Sequence, residues 1–368
     1  MLVNGKPYQT IWIDENDPCA IRFINQQYLP FRFIIDELHT SKDSYIAIHE
    51  MKVRGAPLIG VTAAFGIYLS AIESKKTAHP KEYVLSFAAR LSKARPTAVN
   101  LENAINRQLN AIRTVEDPEY LVRITLGISL KIMEEEKENC RQIGLNGLPL
   151  IEKISDSKHH EAVNILTHCN AGWLACIDYG TATAPVYFAH DKGIPVHVWI
   201  DETRPRNQGS RLTAWEMRQH GVPHTVIVDN AGGHLMQSGS VDIVIVGSDR
   251  TTKTGFVTNK IGTYLKALSA YDNHIPFYVA LPSSSIDPKI RDPYKDIPIE
   301  QRDDNEVRFI EGWTGKKIQQ VQLLENESPV SNWGFDITPP RLITGLITEK
   351  GICQASEKGI SSLFPDIS

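Results

Sequence analysis

Five short apolar runs recur at 164–167, 195–200, 225–228, 241–246 and 276–280. The gaps between them, roughly 12 to 30 residues, are long enough to return the chain through a helix, so successive runs can pair in parallel. The runs are short and mostly apolar, as the strands of repeated βαβ units are. This punctuation constrains the chain to an α/β fold with a parallel sheet. Each run also stops at a polar string: Cys169-Asn170, Asp201-Glu202-Thr203-Arg204, Asp229-Asn230, Gly247-Ser248-Asp249-Arg250 and Pro282-Ser283-Ser284. One such end is a turn or a helix cap. Five on one edge predict a pocket, because ligands of open α/β sheets bind outside the carboxyl ends of the strands.

Cys169 stands at the first of these ends. Ala171 and Gly172 after it predict a tight turn with a helix directly behind, and a helix N-terminus lowers a thiol's pKa. The alternative is a buried structural cysteine, since free Cys is among the most buried residue types. With Cys19, Cys140, Cys176 and Cys353 the cysteines are odd in number and lack metal-type spacing, so the chain reads as reduced and cytoplasmic. The histidines show no ligand spacing either, and no metal is expected. No P-loop or G-x-G-x-x-G is present, which leaves nucleotide binding without motif support. A net charge of −4 without a Lys/Arg cluster among aromatics argues against nucleic acid. The N-terminus does not read as a signal peptide, and the longest uncharged run, 56–72, is broken by Pro57, Gly60 and Gly66. No membrane partner is expected.

At 368 residues, two domains are expected, divided at 1–140 and 141–368. Residues 1–35 hold β-prone segments at 9–13 and in the alternating Phe31-Arg32-Phe33. The pattern then turns helical. One helix opens at Arg54-Gly55-Ala56-Pro57, with Pro57 suited to the first helical position. Others cover 81–93, stopped by Pro96, and 100–112. Asp117-Pro118-Glu119 starts a long helix reaching about Cys140, and Gly144-Leu145-Asn146-Gly147 reads as the break after it. Residues 283–306 read as a long polar loop, functional or an interface arm.

The strings RGAPLIG (54–60), RPTAVNL (95–101), THCNAG (167–172), DETRPRNQGSRLTAWEM (201–217), DNAGGHLM (229–236), VGSDR (246–250), NKIGTY (259–264) and FDITP (335–339) carry a resemblance. Together they resemble the 5-methylthioribose-1-phosphate isomerase family. Its superfamily includes ribose-1,5-bisphosphate isomerases and regulatory subunits of a translation-initiation exchange factor. The resemblance implies a Rossmann-like C-terminal domain behind a helical N-terminal domain with a small β element, a homodimer, and no cofactor. It assigns phosphate and sugar contacts to Arg54, Gly55, Ala56, Arg95, Gln208, Asn259 and Lys260, and the catalytic pair to Cys169 and Asp249. The residue types agree. Gly55 and Ala56 can offer N–H groups to an anion at a helix N-terminus, Arg95 can chelate phosphate, and Lys260 adds a point charge.

In an aldose 1-phosphate the anomeric oxygen is esterified, so ring opening requires protonation of the ring oxygen. Hydrogen must then move from C2 to C1, by proton relay or hydride shift, while O2 loses its proton. Asp249 is expected to be the acid/base, its pKa raised by burial, and Cys169 the second proton-handling group or an electrostatic partner. Trp173, Cys176-Ile177-Asp178, Asn207, Thr254-Gly255-Phe256 and Asn332-Trp333-Gly334 depart from the family pattern. They bear on the 5-substituent, methylthio or plain deoxy, with Trp173 and Trp333 as residues that would narrow its pocket. Competing readings are a 5-deoxyribose-1-phosphate isomerase, a ribose-1,5-bisphosphate isomerase, which needs a second cationic cluster, and a non-catalytic subunit, which needs neither Cys169 nor Asp249.

Overall fold

Residues 1–95 and 97–367 are described by a computed structural model; the helix stop assigned to Pro96 lies outside them. After a small antiparallel hairpin (Leu2–Val3 with Lys6–Pro7) come three antiparallel strands, β1 (Ile11–Ile13), β2 (Ile21–Ile24) and β3 (Ile35–Leu38). The alternating Phe31-Arg32-Phe33 is not a strand but the segment leading into β3. Its rings are claimed by tertiary stacking instead, Phe31 on Trp313 at 5.6 Å and Phe33 on Trp215 at 6.0 Å.

Helices α1 (Ser41–His49), α2 (Ala56–Ser74), α3 (Pro80–Leu91) and α4 (Val99–Ala111) follow. Apolar all round, α2 must be buried. It is long and apolar enough to cross a membrane, yet 89% of that stretch is covered within the protein. The next helix, α5 (Pro118–Ser157), is capped by Asp117, whose side chain accepts from the Tyr120 N–H. Expected to end near Cys140, it runs on for more than four further turns, and 144–147 is not a loop. A Cβ on Gly144 would stand 2.7 Å from Phe188, and one on Gly147 would collide with Pro185. These glycines are therefore sites where α6 (Ala184–Asp191) lies against the α5 backbone, not helix breakers. Along its length α5 gives Ile132 to the core of the helical region and Ile143 and Ile151 to the core under the sheet. The 140/141 division falls inside it.

Each of the five runs is a strand, with ends shifted by one or two residues: β4 (Val163–Thr167), β5 (Val196–Asp201), β6 (His224–Ile227), β7 (Ile243–Val246) and, after β8 (Arg250–Thr252) and β9 (Val257–Lys260), β10 (Phe277–Ala280). Helices α7 (Ala214–His220), α8 (Ala231–Gln237) and α9 (Thr263–Asp272) lie between them. Late in the chain, β14 (Phe335–Thr338), β15 (Gly345–Thr348) and β16 (Gly351–Cys353) complete the set. The large sheet has the order β16-β15-β10-β7-β4-β5-β6, parallel except for β16. Its parallel strands follow the doubly wound, Rossmann-like order, whose direction reverses between β4 and β7. Cys169 and Asp249 leave the sheet on either side of that reversal.

A second sheet, β11 (Ile286–Asp287)-β8-β9-β14, was not expected. Asn259 and Lys260 lie on β9, and α9 starts only after Gly262. Residues 283–306 are not one loop. They carry a 3-10 turn (Ser283–Ser285), β11 and a short helix (Pro293–Asp296), and lead into the hairpin β12 (Phe309–Trp313) and β13 (Ile318–Gln322).

Glu136 on α5 is buried with Oε2 unpartnered, and burial pushes its carboxyl up to about 7. The stability contributed by a raised carboxyl is complete below the unfolded value of 4.5 and is lost as pH rises through about 7. Glu136→Gln is expected to raise the thermal midpoint at about pH 8, by up to about 3 kcal/mol in stability. Near pH 4.5 the gain should vanish. Matching midpoints at the higher pH would show that Glu136 ionises at no cost.

Candidate active site

Backbone strain marks the sheet edge. Cys169 (φ 65°), Thr203 (φ 65°) and Asn207 (φ 54°) occupy the left-handed region, where a β-branched residue is a genuine outlier. The surroundings over-determine them. The Cys169 N–H donates to Thr203 Oγ1 (2.8 Å) and the Thr213 hydroxyl donates to the Cys169 carbonyl (2.7 Å). The Thr203 and Arg204 N–H groups both donate to the Asp229 carboxylate, at 2.6 and 2.8 Å. Strain held in this way concentrates at functional sites.

No regular helix follows Cys169, contrary to expectation. A 3-10 turn (Trp173–Ala175) and irregular chain intervene before α6. Gly172 is small because a Cβ there would overlap the Glu216 carboxylate, not because it begins a helix. The thiol accordingly moves the other way: burial pushes it above its ordinary value, opposed by Arg54 and Lys260. Cys169 is held as a thiol at neutral pH.

Arg54, Gly55, Ala56, Cys169, Asp249 and Asn259 line one cavity enclosing about 390 Å³ of empty space, part of it open to solvent. Gly55 caps α2 at φ 96°, and a Cβ on it would stand 2.5 Å from the Ala175 backbone. Among the described residues, the half-buried Asp249 side chain has no hydrogen bond or ion pair. Burial pushes its carboxyl up, opposed by Arg54, Lys260 and Arg95. Lys260 is buried with its ammonium 5.1 Å above the Phe335 ring. Burial pushes that ammonium down, countered by Cys169 and Asp249. Arg95 acts on Asp249 and Lys260 through its charge; its Nε lies 3.4 Å from Glu300, and its buried Nη1 has no partner among the described residues. Gln208, with Oε1 unpartnered, lines the neighbouring cavity, and Arg54 forms part of both walls.

Sequence reasoning missed the groups that hold these residues. Arg54 donates through Nη1 to Asn170 Oδ1 and through Nη2 to the Asn170 carbonyl (2.7 Å). The Asn170 amide in turn donates to Glu216 (2.9 Å) and Thr213 (3.1 Å). Nothing local in the sequence pairs Glu216 with Asn170. His168, Asp201 and Asp229 bring possible metal-ligating atoms within 4.8 Å of one another. Lys266 already sits among them, bonded to Asp201 at 3.1 Å and to the Asp229 carbonyl. Both His168 nitrogens are engaged, with Asp201 and the Ile261 carbonyl, each at 2.8 Å. This cluster is an ion-pair network bracing the strand ends. Trp173 is fully buried against Trp215 at 6.0 Å and Trp333 is half exposed. Neither lines the cavity, so the expectation that they narrow it is corrected.

A doubly wound sheet with a cavity lined by Arg54, Cys169 and Asp249 at its switch point, set behind a helical region, defines the class. The Initiation factor 2 subunit family matches residues 52–355, and the chain belongs to that family. Within it, the chain is 58% identical over 366 residues to the methylthioribose-1-phosphate isomerase of Desulfatibacillum aliphaticivorans, covering 100% of this chain and 99% of that one. The enzyme of the same name from Rhodospirillum centenum is 52% identical, covering 100% and 96%. Among solved structures, 5-methylthioribose 1-phosphate isomerase from Pyrococcus horikoshii OT3 superposes with a TM-score of 0.82 at 36% identity, over 98% of this chain and 97% of that one. Translation initiation factor eIF-2B subunit delta from A. fulgidus gives 0.77 at 36% identity, over 97% and 99%.

Gly55→Ala is expected to destabilise the protein by on the order of 3 kcal/mol, from positive-φ strain and from overlap with the Ala175 backbone. A urea midpoint equal to that of the wild type would mean the 173–175 turn gives way freely.

Proposed function

We infer that the chain is an aldose-ketose isomerase converting 5-methylthioribose 1-phosphate to 5-methylthioribulose 1-phosphate, the step its curated relatives are named for, in methionine salvage. The observation that carries this reading is the pairing of a buried thiol with an unpartnered carboxyl at the switch point, in a cavity reached by the charges of Arg54 and Lys260. In this reading Arg54, the N–H groups of Gly55 and Ala56, Arg95, Gln208, Asn259 and Lys260 hold the phosphate and sugar. Asp249 is the acid/base and Cys169, kept as a thiol, the second proton-handling group. A proton reaches the ring oxygen as its bond to C1 breaks, hydrogen passes from C2 to C1, and O2 gives up its proton as C2 becomes a carbonyl. The apolar wall of Pro57, Ala171 and Pro282 receives the 5-substituent. A hydroxyl there would lose water without a sure partner, at about 1–3 kcal/mol. No cofactor is needed.

Among the described residues, the bisphosphate reading lacks a free second anion site. Arg206, Arg211 and Arg302 lie close by, but each is paired, with Glu306 (3.5 Å), Glu311 (2.8 Å) and Glu306 (2.7 Å) respectively. The non-catalytic reading draws on the likeness to the A. fulgidus chain; retention of both Cys169 and Asp249 weighs against it.

A coupled assay for ketose 1-phosphate, offering the methylthio, 5-deoxy and unmodified ribose 1-phosphates side by side, tests the function. Turnover is expected on the first two and weaker turnover on the third. Cys169→Ser and Asp249→Asn should each lower kcat roughly 10²–10⁴-fold with KM little changed. Near wild-type turnover in either variant would remove that residue from the chemistry. We further propose a cytoplasmic homodimer without nucleic-acid or membrane partners, its 283–306 segment and hairpin forming the interface arm. Light scattering at micromolar concentration should report twice the chain mass of 41.2 kDa; a clean monomer refutes the dimer.

A further inference from the structure

We propose that Glu216 is a positioning residue for this reaction, its carboxylate fixing Asn170 and through it the Arg54 guanidinium at the cavity wall. The proposal rests on the isomerase reading for its consequence, but its geometry stands alone. Glu216, on α7, is fully buried. Oε1 accepts from the Asn170 amide (2.9 Å) and the Leu174 N–H (2.9 Å), and Oε2 from the Trp173 N–H (3.2 Å) and the Tyr187 hydroxyl (2.9 Å). Four donors converge on two oxygens, and only the ionised form can accept from all of them. Protonation turns one oxygen into a donor that only the Tyr187 hydroxyl, able to accept as well as donate, can receive, and the bonds to 170–174 lose the charge that strengthens them. Three of the donors lie in the 170–174 segment, which also carries the carbonyl and amide oxygens that grip Arg54. The titratable and charged groups facing Glu216 are Tyr187 from α6 and Arg54 from the start of α2. Burial pushes the carboxyl up to about 7, with Asn170, the Leu174 N–H, Tyr187 and Arg54 drawing it back. Around neutral pH the residue therefore divides between an ionised form that holds the segment through charge-assisted bonds and a neutral form that holds it more weakly.

The test uses the full-length protein and two variants, Glu216→Gln and Tyr187→Phe, with kcat/KM followed from about pH 5 to pH 9. Sulfate binding by calorimetry over the same range is a readout independent of turnover, since sulfate keeps its charge throughout. In the wild type both quantities should fall on the acid side with a component centred near 7. Tyr187→Phe removes one donor from the ionised form and touches neither Cys169 nor Asp249; it should move that component to higher pH. Glu216→Gln should abolish the component and weaken sulfate binding tenfold or more. If it does not fold, the shift in Tyr187→Phe decides alone. An unshifted Tyr187→Phe profile, or wild-type sulfate affinity in folded Glu216→Gln, overturns the proposal. A wild type that binds sulfate with this pH dependence but turns over no sugar phosphate would instead overturn the isomerase reading and leave the clamp standing.

Discussion

The site depends on one backbone contact. Gly55, at a conformation only glycine adopts freely, lets the N-terminus of α2 lie against the 173–175 turn, where no Cβ would fit. Arg54 is then close enough to reach Asn170, and the helical region closes over the carboxyl edge of the sheet. Without that approach the thiol of Cys169 and the carboxyl of Asp249 would face open solvent. Their shifts, both caused first by burial, follow from a contact neither residue makes.

Charge in the cavity is balanced by mutual adjustment. Desolvation disfavours every ionised form, pushing Cys169 and Asp249 up and Lys260 down, while their opposite signs pull each back. An anion arriving beside Lys260 would strengthen the ammonium and oppose ionisation of Asp249. By this electrostatic logic a phosphate and a protonated acid favour one another in the same space.

Much of this was legible in the chain. The five strands announced themselves because short, mostly apolar runs recurring at helix-length spacing have few other uses, and Cys169 and Asp249 were visible as polar residues at their ends. The order of those strands, and hence that the two ends flank the reversal, follows from packing and is not written locally. The break read at 144–147 failed because Gly144 and Gly147 serve close approach of α6, which looks like a helix breaker from one strand of text. The helix read behind Cys169 failed for a related reason, Gly172 being small to admit Glu216. The second sheet escaped because β8 and β9 are short and mostly polar. Glu216 carried no signal at all: its meaning lies in donors supplied from residues 170–174 and 187.

The single rod α5 has a consequence for how the molecule is made. Forty residues at about 1.5 Å each give a helix roughly 60 Å long, with one half packed in the helical core and the other under the sheet. As the chain leaves the ribosome, the first core can close while the second half of the rod still shows Ile143 and Ile151 to water. That apolar face waits until β4 and the segments after it are synthesised.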